Sequence, residues 1–390
     1  MAKQKVLIVS RNLMAGGIET SYLNFIQNMK NSVELETFLC NKSGILKQKL
    51  PEDIVLYEGN KILKFLTPAD GVSGKEKNQK LKKILRKIIK FFYNLLGFKK
   101  FLKFYAIKTT KKIKKEYDCA LCFYAQNDLC CDVALTKVNA KQKFAFIHAD
   151  VSKSPINKRS LKMLTKFDKI LCVSNSCANV FKQVYPHLAN KVDYLYNFQD
   201  VEKIKNQSTE FIVNYPNGFN IVTVARLSET EKGFLRSLEV FNNLHKQGFK
   251  FHWHIVGEGI DRGVIEEYIS VNNMKDYVTL HGNQVNPYPY IKAADLFYLG
   301  SYHESWGLVI VEALTLNVPV LTTNTCSAHE ILGDKCFICE NDKISISSSL
   351  KYIIENKNIL EIKKEEIQDY YFDNDIIKEK FLNLLMVENE

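Results

Sequence analysis

The sequence predicts an α/β protein of two Rossmann-like domains, each a parallel sheet wrapped by helices, facing one another across a cleft. Three observations predict it. The chain has 390 residues, more than one hydrophobic core ordinarily sustains. Short runs rich in Val, Ile, Leu and Phe alternate with helical patterns, as strands covered on both faces and their crossovers do. The alternation breaks off across residues 200–220 and then resumes.

In the first half, strands are expected at Val6–Val9, Thr37–Cys40, Ile54–Tyr57, Cys119–Phe123, Phe144–Ile147, Ile170–Val173 and Val192–Tyr196. The polar stretch that follows holds Asn214, Pro216, Asn217 and Gly218, which places a hinge within 197–220. Strands resume at Ile221–Ala225, His252–Val256, Val278–His281, Leu296–Leu299, Val320–Thr322 and Phe337–Cys339. This divides the chain into a first domain over 1–198, a second over 199–368, and a C-terminal helix over 369–390 expected to pack back on the first. No solenoid repeat is visible.

Composition fits two folded cores: 46% of residues are hydrophobic and 25% charged, far from the signature of disorder. The N-terminal apolar run Val6–Val9 is too short for a signal peptide or a membrane span, so a cytoplasmic location is expected. Cysteine pairs with CxxC spacing, Cys119 with Cys122 and Cys336 with Cys339, fall on strands. Residues three apart on a strand face opposite sides, so these read as buried small hydrophobes and not as a metal site.

Candidate chemistry lies in three loops that lead from a strand into a helix. The first runs from Ser10 through Arg11 to Gly16, Gly17 and Glu19. Two glycines at a helix start allow close backbone approach to an anion, although such a pair is also an ordinary turn. The second holds Arg226 and Lys232-Gly233, a cation pair suited to a diphosphate at the carboxyl edge of a sheet, or else two solvated charges. In the third, Glu304 precedes Ser305, Trp306 and Gly307, and Glu312 is the one acid in the apolar run Leu308–Leu316. A buried acid is costly unless paired or in contact with a ligand.

Glu304 and Glu312, with seven residues between them, resemble the paired-glutamate motif of the family 4 retaining glycosyltransferases. The segment Asn286 to Asp295 resembles the one that precedes that motif, Gly16-Gly17 the family's first loop, and Arg226 with Lys232-Gly233 its cation pair. His148 in Phe-Ile-His-Ala-Asp and Val173-Ser-Asn-Ser add to the match in the first half. The resemblance implies the two-domain GT-B fold. It implies that Glu312 holds ribose hydroxyls, that Arg226 and Lys232 clamp a diphosphate, and that Gly16 and Gly17 add backbone donors. Glu304 and the amides of the turn Ser305, Trp306 and Gly307 would address the donor sugar, with Leu308 beside them in the donor site and His148 reaching the sugar from the first domain. His148 also reads as a core histidine. The family usually has Gly-Phe-Gly where this chain has Ser305-Trp306-Gly307.

The implied reaction is retaining transfer of a hexose or N-acetylhexosamine from a nucleotide diphosphate sugar, UDP by expectation, to a lipid-linked or surface-glycan acceptor. Pre-placed cations would stabilise the leaving diphosphate, so no metal or other cofactor is expected. The one Asp-x-Asp, Asp373 and Asp375, reads as a helix N-cap. A sugar-nucleotide epimerase and a non-catalytic sugar-nucleotide or lipid-binding module are the alternatives.

The net charge of +11 comes from one segment: Lys75 to Lys115 carries sixteen Lys or Arg against Glu76 alone. Apolar residues at 81, 84, 85, 88, 92, 95 and 96 recur there at helical spacing. An amphipathic helix on an anionic membrane is expected, with a core-facing helix as the other reading. No recognition motif accompanies the charge, so nucleic acid is not an expected partner.

Overall fold

The computed structural model describes residues 3–14, 16–67 and 98–386. Its first sheet comprises β1 (Lys5–Ser10), β2 (Glu34–Leu39), β3 (Val55–Glu58), β4 (Glu116–Cys122), β5 (Asn139–Ile147), β6 (Lys169–Cys172) and β7 (Val192–Tyr194), in the order β3-β2-β1-β4-β5-β6-β7. The second comprises β8 (Asn220–Val224), β9 (His252–Val256), β10 (Val278–Gly282), β11 (Leu296–Leu299), β12 (Val320–Thr323) and β13 (Phe337–Cys339), in the order β10-β9-β8-β11-β12-β13. Pairing among these strands is parallel. These are two Rossmann-like sheets.

Apolar runs form the central strands because helices cover both faces: Val6, Leu7, Ile8 and Val9 are wholly buried. β5 differs from its sequence expectation. It begins five residues earlier, at Asn139, because Asn139, Ala140, Gln142 and Lys143 pair with Glu116, Tyr117, Cys119 and Ala120 of β4. This polar half is specified by its partner strand and carries no hydrophobic signal of its own.

In each sheet the order reverses beside the first strand of the domain. β1 lies between β2 and β4, and β8 between β9 and β11. Such switch points open a crevice at the carboxyl ends of the strands. The loops after β1, β8 and β11 emerge there, which are the three loops singled out above.

The helix Asn374–Met386 packs on the first domain. The Phe381 ring lies 5.0 Å from Phe25, and Lys380 Nζ is 3.1 Å from Asp193. Asn374 and Gln199 exchange two hydrogen bonds, at 2.6 and 3.1 Å. Burying a side chain the size of Phe381 contributes about 2 kcal/mol or more. Asp373 Oδ1 accepts from the amides of Asp375 and Ile376 at 2.8 and 3.3 Å, so it caps this helix.

All ten cysteines are free thiols. Among the described residues no cluster of three or more His, Cys, Asp or Glu is placed to hold a metal, and no helix is long and apolar enough to cross a membrane. The expected amphipathic face over residues 81–96 lies outside the described residues. The described end of the basic segment includes the helix Phe98–Thr109, on which Phe98, Phe101, Phe104 and Tyr105 are exposed.

Candidate active site

The loop after β1 runs to Gly16, which precedes the helix Gly17–Met29 in extended conformation. Gly17 sits against the second domain: a Cβ there would lie 3.9 Å from Leu308 Cδ1. The Glu19 carboxylate folds over Gly16 and stands 3.9 Å from Arg11. Burial raises its pKa, while its own backbone amide and the charges of Arg11 and, from the other domain, Arg226 pull it down. The two domains thus share one electrostatic field at this loop.

On the opposite side, Arg226 follows β8 and is 64% exposed, with an ion pair to Glu231 at 2.6 Å. The turn Glu229–Lys232 ends at Gly233, whose φ of +62° is a left-handed conformation that favours glycine. A Cβ at Gly233 would lie 2.8 Å from the Gly300 carbonyl, so a bare backbone is what lets the loops after β8 and β11 touch. The Tyr302 amide then donates to the Glu231 carbonyl at 2.8 Å.

Across that contact Lys232 Nζ donates to Glu304 Oε1, which also accepts from Ser301 Oγ at 2.8 Å. Arg236 supports the loop from beneath. It donates to the Gly300 carbonyl at 2.7 Å and to Asn341, and lies 4.0 Å under the Tyr302 ring. Sequence reasoning missed Arg236, since nothing local separates it from a solvated helical arginine.

Gly307, at φ +75°, starts the helix Leu308–Thr315. Glu312 is 7% exposed on this helix. Burial pushes its pKa up to about 7, with Lys203 the charge opposing the rise. It is poised between its protonated and ionised forms near neutrality.

The side chains of Ser305 and Trp306 turn towards the first domain. Ser305 Oγ accepts from the Asp150 amide at 2.9 Å, and the Ser305 carbonyl accepts from Ser174 Oγ at 3.3 Å. Trp306 stacks on Tyr196 at 4.7 Å and is buried within the first domain's core. Both side chains build a seam between the domains. The Ser-Trp departure from Gly-Phe thus serves domain contact.

His148 directly follows β5, its ring packed on Phe146 and Phe123 at 4.4 and 4.8 Å. Burial pushes its pKa down to about 3, against a backbone hydrogen bond to Phe123, so the imidazole is neutral at pH 7. Its Nε2 is buried and without a partner among the described residues, as are Arg11 Nε, His303 Nδ1 and Thr325 Oγ1. These atoms lie on loops past the carboxyl ends of β5, β1, β11 and β12. Orphaned buried polar atoms cost about 1–3 kcal/mol each, so these strand ends make the cleft the candidate ligand site.

The chain is similar to known proteins over its sequence and fold. Residues 205–370 match the family described as Glycosyl transferases group 1. An uncharacterised glycosyltransferase of Methanocaldococcus jannaschii is 27% identical over 196 residues, 49% of this chain and 48% of its own. A Campylobacter jejuni N-acetylgalactosaminyltransferase, named for a diphospho-undecaprenol acceptor, is 28% identical over 211 residues, 53% of this chain and 56% of its own. The chain thus spans about half the length of these curated relatives. Anabaena HepE, solved with UDP and glucose, superposes with a TM-score of 0.69 at 15% identity, over 99% of this chain and 100% of that one. Staphylococcus aureus TarM does so with 0.66 at 14%, over 99% and 100%. Residues 205–370 are thus similar to the glycosyl transferases group 1 family, and the chain as a whole takes the GT-B fold.

Proposed function

We propose that the protein is a metal-independent retaining glycosyltransferase that moves a hexose or N-acetylhexosamine from a nucleoside diphosphate sugar, with UDP as the nucleotide, to a lipid-linked or surface-glycan acceptor. The observation that carries this reading is the convergence of Lys232, Glu304 and Arg226 on the loops after β8 and β11, with Gly17 touching the Glu312 helix from the other domain.

In this reading Arg226, Lys232 and the amides at Gly16–Gly17 neutralise the diphosphate as the glycosidic bond breaks. Glu312 accepts from ribose hydroxyls. Glu304 and the backbone of the Ser305–Leu308 turn orient the sugar. His148, neutral, offers Nε2 to a sugar hydroxyl; it is too weak a base to take the acceptor's proton. A departing phosphate oxygen on the same face accepts that proton, which accounts for retention. HepE and TarM were both solved with UDP, which supports the choice of nucleotide, and the Campylobacter relative's name supports a lipid-linked acceptor.

The described end of the basic segment supports a membrane site for this transfer. The helix Phe98–Thr109 combines exposed Phe98, Phe101 and Phe104 with exposed Lys100 and Lys108, a composition that favours an anionic interface. The protein would work on the inner face of the cell membrane. Nucleotide release from a panel of nucleoside diphosphate sugars, with and without a lipid-linked acceptor, tests the function, and the anomeric coupling of the product tests retention. Donor turnover indifferent to every acceptor would overturn transfer.

A further inference from the structure

The helix Asn175–Val184 of the first domain begins at the seam with the second, and its opening amides are divided between two sources. The local cap is Ser174, whose Oγ accepts from the Cys177 amide at 3.0 Å while its carbonyl accepts from Ala178. The two remaining amides belong to Asn175 and Ser176. Both are taken by Glu330, a residue of the second domain. Its Oε1 accepts from the Asn175 amide at 2.9 Å, and its Oε2 accepts from the Ser176 amide at 2.9 Å and from Ser176 Oγ at 2.7 Å. The three amides of the helix's first turn are therefore all satisfied, two of them from the other domain.

We propose that Glu330 is an interdomain positioning residue: its carboxylate caps a first-domain helix and so holds the two halves of the cleft in the registry that transfer requires. Three features support this. A carboxylate at a helix N-terminus is held by charge as well as by hydrogen bonds. Although burial would raise its pKa, the hydrogen bonds from Ser176, Tyr196 and Asn175 outweigh burial and hold it below the usual carboxylate value, so it stays charged. The contact also leads straight to the reacting loops: Ser327, three residues before Glu330, donates to the Trp306 carbonyl at 3.1 Å, and Ser174 donates to the Ser305 carbonyl. Ser305 adjoins Glu304. A slip of the cap therefore moves the Glu304 turn relative to His148.

The kinetic arm of the test rests on the function proposed above; the structural arms do not. On the full-length chain, hydrogen exchange at residues 175–178, X-ray scattering, UDP affinity by calorimetry and transfer kinetics are compared for wild type, Glu330→Gln and Glu330→Ala. Glu330→Ala is expected to speed exchange at Asn175 and Ser176 and to broaden the interdomain distance distribution. UDP affinity should change far less than kcat, because Arg226, Lys232 and Glu312 all lie in the second domain and only the Gly16–Gly17 amides reach across from the first, while kcat falls about a hundredfold, the size of a misplacement near 1 Å. Glu330→Gln, which keeps one acceptor, should recover part of kcat. Faster exchange with unchanged kcat and scattering would reduce Glu330 to a helix cap and overturn the proposal. So would an equal loss of UDP affinity, melting temperature and kcat in both variants, which would mean a general fold role. Should wild type turn over no nucleotide sugar, the functional reading fails, and the scattering comparison alone then decides for or against the registry role.

Discussion

Lys232 Nζ and Glu304 Oε1 are joined by a charge-assisted hydrogen bond between the loops after β8 and β11, and both side chains are largely buried. A diphosphate that approaches Lys232 thus meets a cation already shared with a carboxylate. Glu304→Gln should leave nucleoside diphosphate affinity equal to or tighter than wild type while lowering turnover about a hundredfold, if Glu304 serves the sugar. Calorimetry with UDP alone, set beside steady-state rates, separates the two effects. Weaker UDP binding in the variant would place Glu304 in the diphosphate site instead.

Arg226→Ala and Lys232→Ala should each cost about 2–4 kcal/mol in kcat/KM, as removal of a preorganised charge partner does. Since these cations carry the leaving-group charge, chelation should not change the rate. Activity lost in EDTA and restored by magnesium would refute the metal-free mechanism.

Glu312 should make donor binding pH-dependent. Burial raises its pKa to about 7, and ribose hydroxyls bind its ionised form, so UDP affinity should fall by up to about tenfold per pH unit below 7. Glu312→Gln should bind UDP weakly with no such slope. The stability linkage runs oppositely: a raised carboxyl pKa contributes stability that is present below 4.5 and is lost as pH rises through about 7. Calorimetry between pH 5.5 and 8, in both proteins, reads the affinity effect.

His148 and His254 should sensitise the fold to acid. Burial pushes both down to about 3 from the ordinary 6.5, so the unfolded chain takes up protons that the folded one refuses. Stability is then full above 6.5 and falls as pH drops towards 3, by up to about 1.4 kcal/mol per unit for each histidine. Urea midpoints at pH 7, 6 and 5 measure the slope, and His148→Leu should make it shallower. An unchanged slope in that variant would mean that His148 titrates while folded.

Phe101→Ser combined with Phe104→Ser should weaken flotation with anionic vesicles about tenfold or more, since two exposed aromatic side chains would no longer insert. Replacing Lys82, Lys83, Arg86, Lys87 and Lys90 with Gln should weaken it further and reduce its salt dependence. Transfer to a short water-soluble acceptor should survive both changes. Equal binding by all forms would mean that this surface is solvated and that the acceptor arrives by another route.

The sequence by itself determined the strand positions, the restart near residue 220, and the three loops that carry Gly16-Gly17, Arg226 with Lys232, and Glu304 with Glu312. These signals are local. A strand buried on both faces must be apolar, and a buried acid in an apolar helix stands out without any knowledge of its neighbours. Tertiary structure alone decided the strand order, the polar first half of β5, the support of Arg236 under the Glu304 loop, and the commitment of Ser305, Trp306 and Glu330 to the first domain. Each of these rests on partners remote in the chain: Asp150 and Ser305 are 155 residues apart, Ser176 and Glu330 are 154. A hydrogen bond between two loops leaves no periodicity in either one, so a serine that bridges domains and a serine in water are written alike until the fold brings its partner within 3 Å.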